Sequence, residues 1–220
     1  MKNKQLISKK IVIHSIQLFL IFLFIISCES KSKSQKFQPM ENITTLDTIT
    51  LGAGCFWCVE AVYLRLKGVV SVNSGYSGGP KPNPSYKEVC TGTSGHAEVC
   101  QIVFDTSKIS LNDILAVFFA VHDPTTLNKQ GADVGTQYRS VIFYHNQQQK
   151  EIAEKMKQQL DASKEFPNPI VTEISPASEF YKAEDYHQNY FDQNTNQPYC
   201  KFVIQPKIDK FQKLFKSKMK

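Results

Sequence analysis

Two cysteines three residues apart, Cys55 and Cys58, stand in the segment Gly54–Glu60, GCFWCVE, behind the small residues Gly52 and Ala53. Apolar residues Val59, Val62, Tyr63 and Leu66 then recur at helical spacing until Gly68 stops the pattern, so Cys55 falls at a helix N-terminus. Unpaired backbone N–H groups and the helix dipole favour a thiolate there, which makes Cys55 a candidate sulfur nucleophile. Phe56 and Trp57, the chain's single tryptophan, come next. An activated sulfur beside two large apolar rings suits attack on a group that carries a small apolar substituent. Three other readings compete. A lone cysteine is more often a small buried hydrophobe. Cys55 and Cys58 share a helix face and could be a CxxC redox pair of the thioredoxin type. The pair could also be half a zinc site, but no second CxxC or paired histidine follows, and no metal is expected.

The elements that position these residues occupy one domain, preceded by a segment of another kind. Lys2, Lys4, Lys9 and Lys10 give a positive start, and residues 11–27 are largely apolar, a secretory signal pattern of about 17 residues that is slightly long for its class. Its end, Ile25-Ile26-Ser27-Cys28, has the form of a bacterial lipobox, so Cys28 is expected to carry lipid after cleavage. An uncleaved membrane anchor is the rival reading; either leaves the remaining chain outside the cytoplasm, exported and membrane-attached in the cell envelope. Residues 28–46 are rich in Ser, Lys, Gln and Asn and read as a flexible tether, with the folded domain over residues 47–220. The formal charge of +6 misleads: residues 1–27 hold four Lys and no acid, and the last twenty hold seven Lys and one Asp. What remains is mildly acidic, which gives no case for nucleic-acid binding. Of six cysteines, setting Cys28 aside leaves Cys55, Cys58, Cys90, Cys100 and Cys200, an odd set that argues against a purely structural disulfide framework.

Within the domain, residues 69–76 alternate like a strand and run into the Gly/Pro loop GYSGGPKPNPSY, which returns Tyr86 toward the body as a site wall. Residues 96–104 and 139–144 read as strands. Helices are expected over 111–121, with Ser110 and Asp113 at its cap, and from Asn146 to about Ser163. A further strand is expected over 170–174 and a helix over 183–191. Residues 122–137 form a second long polar loop, and Ile208, Phe211, Leu214 and Phe215 mark a core-packed terminal helix. Strands interspersed with helices, without internal repeats, indicate an α+β fold: a two-layer sandwich with a mixed sheet, flanking helices and long site-forming loops. No Gly-rich phosphate loop is present to hold a nucleotide.

With these residues in hand, the chain resembles the A-type peptide methionine sulfoxide reductases, the MsrA family, from Thr48 to Lys207. The resemblance rests on GCFWCVE, GYSGG, PSYKEVCTGTSGHAEVCQIVFD, FFAVHDPTTLNKQGADVGTQYRSVIFY and AEDYHQNY, in the family's order. It implies that Cys55 attacks the sulfur of the S-epimer of methionine sulfoxide, free or in oxidised proteins, while Phe56 and Trp57 hold the substrate's methyl group. It implies that Glu98 is the acid that protonates the sulfoxide oxygen, which requires burial that disfavours the carboxylate. Tyr86 and Tyr138 would hydrogen-bond the same oxygen, and Asp133 would organise polar contacts at the site. Cys55 would be left as a sulfenic acid, resolved as a disulfide by Cys200; Cys58 is the alternative, and within a continuous helix it would need local unwinding to reach Cys55. His122 and His187 lie in family motifs without an assigned catalytic role. No cofactor is implied beyond an external dithiol reductant such as thioredoxin, and a monomer is expected. A CxxC disulfide oxidoreductase and a non-enzymatic surface lipoprotein remain the competing functions.

Overall fold

The computed structural model describes residues 45–220; the expected signal segment, Cys28 and nearly all of the tether lie outside the described residues. The described residues open on contacts made by Thr45. The Thr45 carbonyl accepts hydrogen bonds from the Thr106 backbone N–H at 2.6 Å and from its hydroxyl at 2.8 Å, and strand β1 spans Leu46–Ala53.

The other strands are β2 (Val69–Ser77), β3 (Ala97–Asp105), β4 (Lys129–Gln130), β5 (Asp133–Val134), β6 (Ser140–Tyr144), β7 (Glu173–Pro176) and β8 (Tyr181–Lys182). Six form one sheet in the order β7-β6-β1-β3-β2-β8, and β4 and β5 form a separate hairpin. Within the sheet all pairs are antiparallel except β6 with β7, so the sheet is mixed as expected. β1 is central, and the sequence analysis leaves it unassigned. Its Gly52 stands opposite Val141, and a Cβ there would meet Val141 Cγ1 at 2.8 Å and the Glu98 carbonyl at 3.0 Å, so only glycine lets the three backbones pack this closely.

The helices are α1 (Phe56–Leu64), α2 (Tyr86–Cys90), α3 (Leu111–Val121), α4 (Gln147–Ser163), α5 (Tyr190–Gln193) and α6 (Gln205–Phe215). The caps of α3 and α4 are those expected: Ser110 Oγ accepts from Asp113 N–H at 3.2 Å, and Asn146 Oδ1 accepts from Gln149 N–H at 2.9 Å. Two expectations are corrected, and two elements lie where the sequence analysis assigns none. α2 begins at Tyr86, the last residue of the expected loop, and runs through an unassigned stretch, started by a capping box in which Ser85 and Glu88 satisfy each other's backbone N–H. The strand expected over 170–174 starts at Glu173. Residues 183–191 form a 3-10 turn, Asp185–His187, and the separate short α5, because left-handed Asn189 (φ 51°) breaks the run. Ahead of α6, Cys200–Ile204 forms a π-helical turn.

One face of the sheet carries the core, closed by α1, α3 and α6 through Val59, Val62, Ile114, Phe118, Ile208 and Phe211. Each such side chain is worth roughly 1.5–3 kcal/mol when removed from water. The opposite face has only a small cluster of Ala97, Val99, Val141 and Phe143 under Phe180. Strand alternation therefore assigns the side chains of β3: Ala97 and Val99 face the small cluster, while Glu98, Cys100, Ile102 and Phe104 face the helices. That period places a glutamate under the start of α1.

Candidate active site

Cys55 is the N-cap of α1, as the sequence predicts, and is only 6% exposed. It stands at the sharp turn from β1 to α1, where Gly54 takes φ +86° and a Cβ would collide with Gln130 of the β4–β5 hairpin at 2.7 Å. Gln130 in turn ties the second long loop together, accepting from Asp123 N–H at 3.2 Å and donating to the Asp123 carbonyl at 3.0 Å. The same hairpin delivers Asp133.

Glu98 is 1% exposed, and its Oε2 accepts the backbone N–H of Phe56, the first residue of α1, at 3.1 Å. Burial pushes its carboxyl up to about 8, further raised by Asp133 and Cys58 and opposed by the Phe56 N–H. At neutral pH the group is an acid with a proton to give. Burial also raises both Tyr86 and Tyr138, with Glu98 among the secondary causes, so both phenols stay protonated donors.

The apolar wall is continuous. Phe56 stacks on Tyr86 at 6.4 Å, and Trp57 lies flat on Tyr190 at 3.7 Å and meets Tyr199 edge-on at 5.8 Å. Trp57 Nε1–H donates to His187 Nδ1 at 3.1 Å, which leaves the His187 proton on Nε2, a buried atom without a hydrogen bond among the described residues, 3.9 Å from Glu184 Oε2. His187 thus fixes the indole plane. His122 is structural, bonded to the Phe118 carbonyl at 2.6 Å and Ser140 Oγ at 2.8 Å, and burial holds it neutral, down to about 4.

Two residues that the sequence analysis does not single out complete the site. The Tyr199 phenol donates to Asp133 Oδ2 at 2.7 Å and opposes the rise of the Cys55 thiol. Its position beside Cys200, in QPYCKF, is the one sequence signal that could have found it. Glu184 accepts from the Tyr76 phenol at 2.8 Å and from the Tyr86 backbone N–H at 3.0 Å, pinning the start of α2 to the sheet. Cys200 is fully buried at the head of the π turn, with its thiol raised by burial and by Cys58. Cys90 is exposed at the end of α2, within hydrogen-bond reach of Tyr86, and Cys100 is core. The five cysteines among the described residues are free thiols.

The expectation of an ionised Cys55 is corrected in one respect. Burial pushes its thiol up, with hydrogen bonding and charge at Cys58 adding to the rise, while Tyr199 opposes it. Cys58 goes the other way, down to about 7, through its hydrogen bond with Cys55 and the ammonium of Lys207. The two sulfurs are a coupled pair in which Cys58 is favoured as the anion and Cys55 as the thiol.

What this arrangement can do is deliver a sulfur anion and a proton to opposite ends of one S–O bond, beside an aromatic wall. The comparisons with known proteins agree. The sequence model of a family described as peptide methionine sulfoxide reductase matches residues 47–219. The chain is similar to the peptide methionine sulfoxide reductase MsrA of Saccharolobus solfataricus, 57% identical over 175 residues, 80% of this chain and 98% of that protein. It is similar also to the MsrA of Deinococcus radiodurans, 49% identical over 194 residues, 88% of this chain and 93% of that one. Among solved structures it is similar to Mxr1 of Saccharomyces cerevisiae in reduced form, with a TM-score of 0.65 at 37% identity, covering 77% of this chain and 94% of that one. The methionine sulfoxide reductase A of Corynebacterium diphtheriae follows, with a TM-score of 0.63 at 36% identity, covering 73% of this chain and 78% of that one. On the match to residues 47–219 and these identities, the chain belongs to the peptide methionine sulfoxide reductase family.

Proposed function

We propose that the chain is a thiol-dependent reductase that returns the S-epimer of methionine sulfoxide, free or in oxidised proteins, to methionine. The observation that carries this reading is Glu98: a carboxyl with 1% exposure, held protonated at neutral pH and hydrogen-bonded to the helix that begins at Cys55. A sulfoxide oxygen gathers negative charge as a thiolate attacks its sulfur, and a neutral acid at that point supplies the proton that lets the S–O bond break.

The residues divide the work. Phe56, Trp57 and the rings behind them take the substrate's methyl group. Tyr86 and Tyr138 donate hydrogen bonds to the oxygen, and Asp133, through Tyr199, orients Cys55. The pair's shared proton moves to Cys58 as Cys55 attacks. The sulfoxide oxygen, with a proton from Glu98, ends on Cys55 as a sulfenic acid, and methionine leaves. A second thiol forms a disulfide with release of water, Cys200 being the resolving cysteine carried by the resemblance, and a thioredoxin-like dithiol returns it to thiols. Dithiol–disulfide exchange by a CxxC oxidoreductase needs no buried neutral acid, so that alternative leaves Glu98 without a task.

The exported form belongs to the same proposal: a signal segment over residues 1–27, lipid on Cys28, a tether to residue 46, and a monomeric catalytic domain facing the cell envelope. One assay tests the chemistry. Purified protein with each methionine sulfoxide epimer and a dithiol should yield methionine from the S form alone, and Cys55→Ser should yield none while keeping its circular dichroism. Methionine from the Cys55→Ser variant, or dithiol oxidation that needs no sulfoxide, refutes the reading.

A further inference from the structure

Glu60 ends the segment GCFWCVE and takes no part in the chemistry above, yet it is only 2% exposed. A buried carboxyl is costly unless polar groups meet it, so its partners show its task. Its Oε2 accepts the backbone N–H of Tyr190, the first residue of α5, at 3.4 Å. Glu60 also lines a cavity of about 410 Å³ together with Asn73, Gln188 and Asn189, polar neighbours of the kind such a group requires.

α5 is a single turn of four residues, too short to hold itself. It follows Asn189, left-handed at φ 51°, a conformation that persists only where neighbours impose it. The neighbour is α1. Tyr190 lies on Trp57 at 3.7 Å with the ring planes 7° apart, Arg65 pairs with Asp192, and the Arg65 guanidinium lies 5.3 Å over the Phe191 ring. The Arg65–Asp192 pair is partly open to solvent, where ion pairs hold little. Trp57 and Glu60 are three residues apart and share one side of α1. That side meets Tyr190 twice, indole on ring and carboxyl on N–H. The Tyr190 carbonyl is held from within its own segment, by Asn194 Nδ2 at 2.9 Å.

We propose that Glu60 is a positioning residue that sets the size of the methyl pocket: by fixing Tyr190 it keeps that ring flat on Trp57, so that the indole does not yield to a longer alkyl group. The inference rests on the reductase reading above, with Trp57 as the wall that receives the methyl group. His187 holds the indole at Nε1 and Tyr199 meets it edge-on, while Tyr190 is the ring stacked on its face. An ethyl group adds one methylene, which a fixed wall rejects and a movable wall admits. Glu60 touches neither substrate nor sulfur; it acts through Tyr190.

Methionine sulfoxide and its ethyl homologue, ethionine sulfoxide, are the probes. Glu60→Leu removes the acceptor at similar volume and should raise KM for methionine sulfoxide about tenfold, the scale of one hydrogen bond to a charged group. The saturated single-turnover rate should not change, the mark of lost ground-state binding. Turnover of ethionine sulfoxide should suffer less, so the preference for methyl over ethyl shrinks. Glu60→Gln keeps an acceptor oxygen in place and should restore both. Trp57 is the chain's one tryptophan, so its fluorescence reads the stack directly. Glu60→Leu should redden the emission and increase quenching by acrylamide, and Glu60→Gln should do neither. In a Tyr190→Ala background Glu60→Leu should add no further loss. An unchanged methyl preference with unchanged Trp57 fluorescence in Glu60→Leu overturns the proposal, as does a full further loss in the Tyr190→Ala background. If Glu60→Leu does not fold, Tyr190→Ala must shrink the methyl preference by itself, and a preserved preference overturns the proposal. Failure of every form, wild type included, to yield methionine fails the reductase reading, and the fluorescence comparison still decides whether Glu60 holds the stack.

Discussion

The acid role proposed for Glu98 requires that it hold its proton, and the fold favours that by removing water from a carboxyl that strand alternation turns inward. Because burial raises the group to about 8, the protonated acid is present below that pH and is lost as the pH climbs through it. The single-turnover rate of sulfoxide reduction should accordingly fall on the alkaline side of about 8, and Glu98→Gln should lower it roughly 100-fold or more at neutral pH. Tyr86→Phe and Tyr138→Phe should each cost less, since either phenol partly covers for the other. Rapid-quench measurement of methionine formed per enzyme decides it, and a Glu98→Gln variant at the wild-type rate removes Glu98 as the acid. Residues of this kind are legible in a sequence because motif and chemistry coincide. Tyr199, Glu184 and His187 act by holding a neighbour, Asp133 with Cys55, the start of α2, and the Trp57 ring, and such tasks depend on contacts between segments remote in sequence.

Among the elements, the turn from β1 into α1 sets the site. Gly54 at φ +86° lets the chain reverse tightly enough to leave Cys55 as N-cap, and its missing Cβ admits Gln130 against the backbone. Gly54→Ala imposes both the left-handed dihedral and a clash with the Gln130 Cβ and Cγ. We expect a loss of about 1–3 kcal/mol in urea unfolding, with a larger relative loss of turnover, because the hairpin that yields also carries Asp133. Wild-type turnover with wild-type stability in that variant would mean the hairpin adapts freely. This turn was open to reading, since a glycine before a cysteine at a helix start has few other uses. β1 was not, for its apolar Ile49, Leu51 and Ala53 are interleaved with Thr and Gly that pass for loop, and only the pairing of β3 and β6 on either side makes it the sheet's centre. The sequence does not hold β8 or the break at Asn189 either: two-residue strands and single left-handed residues are decided by tertiary hydrogen bonds, here the pairing with Gly75 and Tyr76 and the contacts of Gln188 with Ser74.

At the scale of the whole molecule, every group assigned to catalysis lies after Thr45, whose carbonyl is already bonded to Thr106 at the end of β3. The placement proposed for residues 1–46 is therefore separable from the chemistry. If Ser27-Cys28 is the processing point, the protein purified from membranes should begin at Cys28 and carry a mass increment from more than one acyl chain, since one chain alone binds a bilayer only marginally. Replacing residues 1–27 with a cleavable signal and Cys28 with Ser should then release a soluble enzyme whose kcat/KM for free methionine sulfoxide equals that of the membrane-bound form in detergent. Its activity on proteins embedded in or bound to membrane should fall relative to that on the free amino acid, because only the anchor holds the site near them. An N-terminus upstream of Cys28, or an unmodified Cys28, rejects the lipid reading. A soluble form that has lost kcat/KM on the free amino acid shows that the leading segment contributes to the site itself.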